Sequence, residues 1–220
     1  MMFIAKPTKK GTGVALYGSE NDLILLHEVI HHLGNSAEID TQYPYGNYLV
    51  MMNFAYEIRK AYSGQRLSAL PNDQELAGLL GAQFVWTDIL IFTNALRNAA
   101  ARCVTSKSLL ATLNDLESAL LDALEAYDEI GAADLVRYVG KRIATDDHVI
   151  FLLYQSLHIE FVSLAGGKSR FRKISSLMDD YFVLNSAVRK SVLKQLDKIA
   201  SENNCEPEEL EFDYFPEIKW

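Results

Sequence analysis

Apolar residues recur at three- and four-residue steps through most of this chain, and at two-residue steps only near its start. In TGVALYG, Val14 and Leu16 alternate with small or polar neighbours. Joined to MFIAKP by the TKKGT turn, in which Gly11 supplies the reversal, they predict a β-hairpin over about residues 1–18. Helical spacing follows. Ser19-Glu20-Asn21-Asp22 resembles a capping box, and Gly34 is the predicted stop of the helix it opens. YPYGN reads as a turn, and a second helix is predicted over about 48–62, ending at Ser63-Gly64. QRLSALPND is a connector with room for one short strand to join the hairpin.

QFVWTDILIFTNALRNAA is apolar on more than one helical face and is therefore predicted as a central helix. Thr105 is the predicted cap of the leucine-periodic SKSLLATLNDLESALLDALEAYD, and Gly131 its separator from AADLVRYVGKRIA. Asp146 or Asp147 opens HVIFLLYQSLHIEFVSLAGG, the second central helix, and two further helices carry the chain to about residue 204. The expected fold is mainly α: a multi-helix bundle of seven or eight helices with a small N-terminal β-hairpin. No linker or repeat divides the chain, so 1–220 is expected as one domain with an acidic-aromatic C-terminal tail at about 205–220.

Composition narrows the functional classes. The net charge of −8 disfavours DNA, RNA or anionic membrane as partner, because neutralising phosphates requires surplus Lys and Arg. A basic protein partner is the compatible alternative. Two cysteines, Cys103 and Cys205, make no disulfide framework and no C-x-x-C pair. The opening MMFIAKPTKK places its bases after a short apolar run, the reverse of a secretory leader, and no window supplies the ~18 apolar residues of a membrane span. A cytoplasmic protein is expected.

Residues 56–67 (YEIRKAYSGQRL), 84–90 (FVWTDIL), the leucine-rich LLATLNDLESALLDAL and the ending FPEIKW resemble an uncharacterised bacterial family. Its members begin with a GTGV-L-G strand, continue as helices and end in a Trp-bearing tail. The resemblance spans nearly the whole chain. It implies a domain of unknown function, with no activity or site residue to carry over, and H-E-x-x-H is not one of its marks.

That motif is nevertheless present, in LILLHEVIHHLG. Residues four apart on a helix point the same way, so His27 and His31 could share a zinc ion while Glu28 takes a proton from its bound water. Leu23, Leu26, Val29, Ile30 and Leu33 fall on one helical face and the motif on the other, as on any amphipathic helix. A working site also needs a third protein ligand. The extended zinc-peptidase pattern fails at Ala37. Glu57 stands where a following helix would offer a ligand, but Ala61 replaces the acid that often accompanies it. His148 and His158 remain as candidates that only a particular fold would bring near. The other basic signal, Lys168, Arg170, Arg172 and Lys173 around Phe171, lacks P-loop order and reads as a helix start paired with nearby acids.

Taken together, the residues favour a non-catalytic binding or regulatory protein, an immunity-like neutraliser of a basic protein among the options, with no cofactor. The alternative is a zinc-dependent metallohydrolase with His27 and His31 as ligands and Glu28 as catalytic base.

Overall fold

A computed structural model describes residues 2–39, 45–69, 74–140, 143 and 149–220. The N-terminal hairpin pairs β1 (Phe3–Pro7) antiparallel with β2 (Gly13–Gly18), Phe3 opposite Gly18. At its turn Gly11 has φ +64°, and a Cβ there would overlap the Tyr127 hydroxyl, so two independent constraints require glycine. The hairpin is half of a larger element. β3 (Leu67–Ser68) and β4 (Leu80–Val85) complete a four-stranded antiparallel sheet of order β1-β2-β4-β3, with Val14 opposite Phe84.

Nine α-helices occupy the described residues: α1 (Glu20–Ile39), α2 (Tyr45–Tyr62), α3 (Trp86–Ala100), α4 (Lys107–Tyr127), α5 (Glu129–Leu135), α6 (Ile150–Ser163), α7 (Lys168–Arg172), α8 (Ile174–Phe182) and α9 (Ala187–Asn203). Seven of them have nine residues or more, and the two extra ones, α5 and α7, have seven and five. The chain is mainly α with an N-terminal β element, as its periodicity predicts.

Boundaries depart from the local signals where packing opposes them. The Ser19 box forms: the Asp22 amide donates to Ser19 Oγ and the Ser19 amide to Asp22 Oδ2, both at 3.2 Å. The helix then runs through Gly34 instead of stopping there. A Cβ at 34 would sit 2.9 Å from the end of the Met52 side chain, so this glycine lets α2 lie close against α1. QFV is not helical: Gln83, Phe84 and Val85 finish β4, and α3 begins at Trp86. Ser106, not Thr105, caps α4 by accepting from the Leu109 amide at 3.1 Å, and α4 ends at Asp128 with Gly131 inside α5. Pro71-Asn72, Asp146-Asp147 and part of the YPYGN turn lie outside the described residues.

The two central helices are α3 and α6. Every α3 residue from Trp86 to Ala99 is buried except Arg97, which reaches Glu117 on α4. Phe92 of α3 stacks on Phe54 of α2 with ring centroids 5.0 Å apart, and Phe84 of β4 meets Phe54 edge-on at 5.2 Å. Offset and edge-to-face contacts of this kind add to the ordinary gain from burying aromatic area. After Asn204, left-handed at φ 54°, a short 3-10 turn (Pro207–Glu209) leads into a tail without regular secondary structure. Leu210, Phe212, Ile218 and Trp220 pack against the core, whereas Tyr214 and Phe215 stay largely exposed, as do Glu206, Glu208, Glu209 and Glu211.

Candidate functional site

The two histidines of the zinc motif lie side by side, without a third ligand among the described residues. His27 and His31 meet edge-to-face with ring centroids 4.4 Å apart, and His27 meets Tyr62 of α2 at 5.5 Å. Partial burial, His31 and the Arg59 guanidinium, in that order, hold the His27 imidazole below its ordinary pKa despite the nearby Glu28. Glu28 is exposed and lines a shallow groove with His32, Val104 and Ser106, so the motif is split between two flanks of α1. The third-ligand candidates are engaged elsewhere. Glu57 accepts both arms of Arg66, at 2.7 and 2.9 Å, and His158 is paired with Asp88. His148 lies outside the described residues. Among the described residues no three His, Cys, Asp or Glu side chains form a group able to hold a metal ion.

The basic cluster also divides. Arg172 makes a two-pronged contact with Asp128 at 2.6 and 2.9 Å, and Lys168 reaches the same carboxylate at 3.5 Å. The Arg172 hydrogen bonds hold the Asp128 carboxyl down at about 2, against the opposing effect of burial. Arg170 turns inward instead.

What the fold does assemble is a cavity of about 430 Å³ beneath the tail. Helical spacing delivers its walls: Asn53, Tyr56 and Glu57 from α2 at i, i+3 and i+4, and Asp88 and Phe92 from α3 at i and i+4. β4 contributes Gln83, Phe84 and Val85, α6 contributes Tyr154, and the tail adds Ile218 and Trp220. The tail's period-two alternation puts Glu217 and Lys219 on the opposite side, where they line a separate cavity. The last residues are thus a partition with one apolar and one charged face.

At the floor sits a buried ion pair. Asp88 lies in the first turn of α3, where the helix dipole favours a carboxylate, and it accepts from the Thr87 hydroxyl at 3.2 Å. His158 Nδ1 lies 2.8 Å from Asp88 Oδ2, and both residues are less than a tenth exposed. Burial works against the imidazolium, but the charge and hydrogen bond of Asp88 outweigh it and raise the His158 pKa. One turn earlier on α6, Tyr154 takes a hydrogen bond from Asn53, and burial first, then Asp88, pushes its hydroxyl far up, so it stays a neutral phenol.

The sequence places Asp88 and His158 each on a helix predicted to be central, where an unpaired polar group is expensive, but nothing in it marks them as each other's partner. Gln83 and Tyr154 carried no local signal. The usable clue was complementarity: two apolar helices, one carrying a buried acid and the other a buried imidazole.

A family model described as Domain of unknown function (DUF6904) matches residues 3–220, and the chain belongs to that family. No curated protein and no solved structure matches it. No helix among the described residues is long and apolar enough to cross a membrane.

Proposed function

We propose that this member of the DUF6904 family is a non-catalytic, intracellular binding protein that holds a small amphipathic molecule in the cavity between α2, β4, α3, α6 and the tail. The observation that carries the reading is the composition of that cavity. An apolar wall of Phe84, Val85, Phe92, Ile218 and Trp220 faces a set of polar groups, Asn53, Tyr56, Gln83, Asp88 and Tyr154, with Glu57 at the side already paired to Arg66. Ligand pockets are mostly apolar with a few placed polar groups, and this one is in the usual size range. Nothing in it supplies a nucleophile beside a free base. Asp88 is satisfied by His158 and Thr87, and Tyr154 is held neutral. The two free cysteines, Cys103 and Cys205, suit a reducing compartment.

Native mass spectrometry on gently purified protein, with thermal shifts against a metabolite set, tests the proposal. Gln83→Trp fills the cavity from the sheet side and is expected to abolish any ligand-induced shift while the unliganded protein still melts cooperatively. A ligand bound equally well by Gln83→Trp, or no ligand in either experiment, would overturn it.

The same reading takes His27, Glu28 and His31 as a solvated helix flank and expects no zinc cofactor. As-isolated protein is then expected to carry well under one equivalent of zinc, and a chelator is expected to leave its melting temperature unchanged. Stoichiometric zinc held by His27, His31 and a third side chain would restore the hydrolase reading. The exposed carboxylates Glu206, Glu208, Glu209 and Glu211 favour a basic protein as a second kind of partner. Replacing Glu211 by Gln, which leaves the Glu206–Glu209 cap intact, would then weaken binding of that partner without changing the protein's own stability.

A further inference from the structure

On the other side of the tail lies a cavity of about 490 Å³ lined by Lys10, Ser163, Gly166, Arg170, Glu217 and Lys219, among others. Arg170 is the unusual member. It is 5% exposed, yet every group it touches is neutral. Nη1 donates to the Leu164 carbonyl at 3.2 Å, Nη2 donates to Thr12 Oγ1 at 2.6 Å, and the guanidinium lies 4.9 Å over the Phe161 ring. Nε is buried with no partner. Four other arginines each have a carboxylate: Arg66 has Glu57, Arg97 has Glu117, Arg137 has Asp179 and Arg172 has Asp128.

A buried guanidinium without a counter-charge is expensive, because the low dielectric that strengthens an ion pair penalises a lone ion. Burial indeed lowers the Arg170 pKa. The guanidinium stands in the cavity wall, with Nη2 3.7 Å from where a Gly166 Cβ would be. Lys10 and Lys219 enter the same cavity from the hairpin turn and from the tail, against the single acid Glu217. Thr12 ties these pieces together by accepting from Arg170 and donating to the Lys219 carbonyl. Three cations converging on one cavity, in a chain whose net charge is −8, is a local reversal of sign.

We propose that this cavity binds a small oxyanion, a carboxylate or phosphate group, with Arg170 as the fixed anchor and Lys10 and Lys219 as the charged rim. A planar fork already held by Leu164 and Thr12 loses little freedom on meeting an oxyanion, which is what favours arginine for that contact.

The test is a titration of the full-length protein with inorganic phosphate, and separately with succinate, at constant ionic strength. The Arg170 Nε–Hε NMR resonance is the reporter. A saturable shift is expected, with phosphate and succinate distinguishing the two oxyanion chemistries by which of them saturates at lower concentration. The Lys10→Gln, Lys219→Gln double variant alters only exposed side chains and is expected to weaken binding by roughly threefold to tenfold. Arg170→Gln is expected to abolish it. Should Arg170→Gln fail to fold, the lysine variant still decides. No movement of the Arg170 resonance with either anion, a non-saturating response, or unchanged affinity in the lysine variant would overturn the assignment.

Discussion

Truncation after Asn204 is expected to be the most damaging simple change to this protein. The segment removed is rich in acids and looks dispensable, but Leu210, Phe212, Ile218 and Trp220 are packed against the core and the Lys219 carbonyl is bonded by Thr12. Partial burial of four large side chains contributes roughly 3–6 kcal/mol. That is a large share of the ~5–15 kcal/mol that holds a typical domain together. Denaturant unfolding should therefore move to a much lower midpoint, and both cavities flanking the tail should lose their ligands together. Trp86 remains as the one tryptophan of the two, buried beside Phe171, so its fluorescence reports the core directly. An unchanged midpoint would mean that the tail is not docked in solution, and would remove the cavity on which the proposed function rests.

The second large effect concerns the Asp88–His158 pair. Asp88→Ala leaves a buried imidazole without its counter-charge and should cost about 3–5 kcal/mol. The pH dependence is more diagnostic. Because the folded-state pKa of His158 is raised above its ordinary 6.5, the pair's stabilisation is fully present below pH 6.5 and is lost as pH rises through the raised value. Stability of the wild type is thus expected to decline on the alkaline side of 6.5. Asp88→Asn, which keeps a hydrogen-bonding group but not the charge, should flatten that decline. An NMR titration placing His158 below 6.5, or a wild-type stability that does not fall over this window, would show that burial dominates and that the pair is not ionised.

The elements with a purely local cause were legible in the chain. Leucine spacing in α4, the reciprocal Ser19–Asp22 cap of α1 and the alternation of Val14 and Leu16 in β2 all depend on neighbours within a turn or two. So did the burial of α3 and α6, because a helix apolar on several faces has nowhere else to go. β4 was not legible, since LGAQFV runs into Trp86 with no breaker. What makes it a strand is a partner, β2, more than sixty residues earlier. Gly34 carried a stop signal that the close packing of α2 overrode.

The candidate site divides the same way. Adjacency in sequence suggested a His27, Glu28, His31 cluster, whose two histidines do lie side by side, and a Lys168–Lys173 basic cluster, whose members burial divides. Glu28 lines a groove with His32, and Arg170 is inside while Arg172 pairs with Asp128. The constellations that did form join Asp88 to His158 and Thr12 to Arg170, residues 70 and 158 positions apart. The sequence by itself determined which stretches must be helical and which helices must be buried, because periodicity and apolarity act locally. Which ionisable groups meet was decided only by the tertiary structure, because charge pairing depends on which helix faces are pressed together, and that is set by the packing of the whole core.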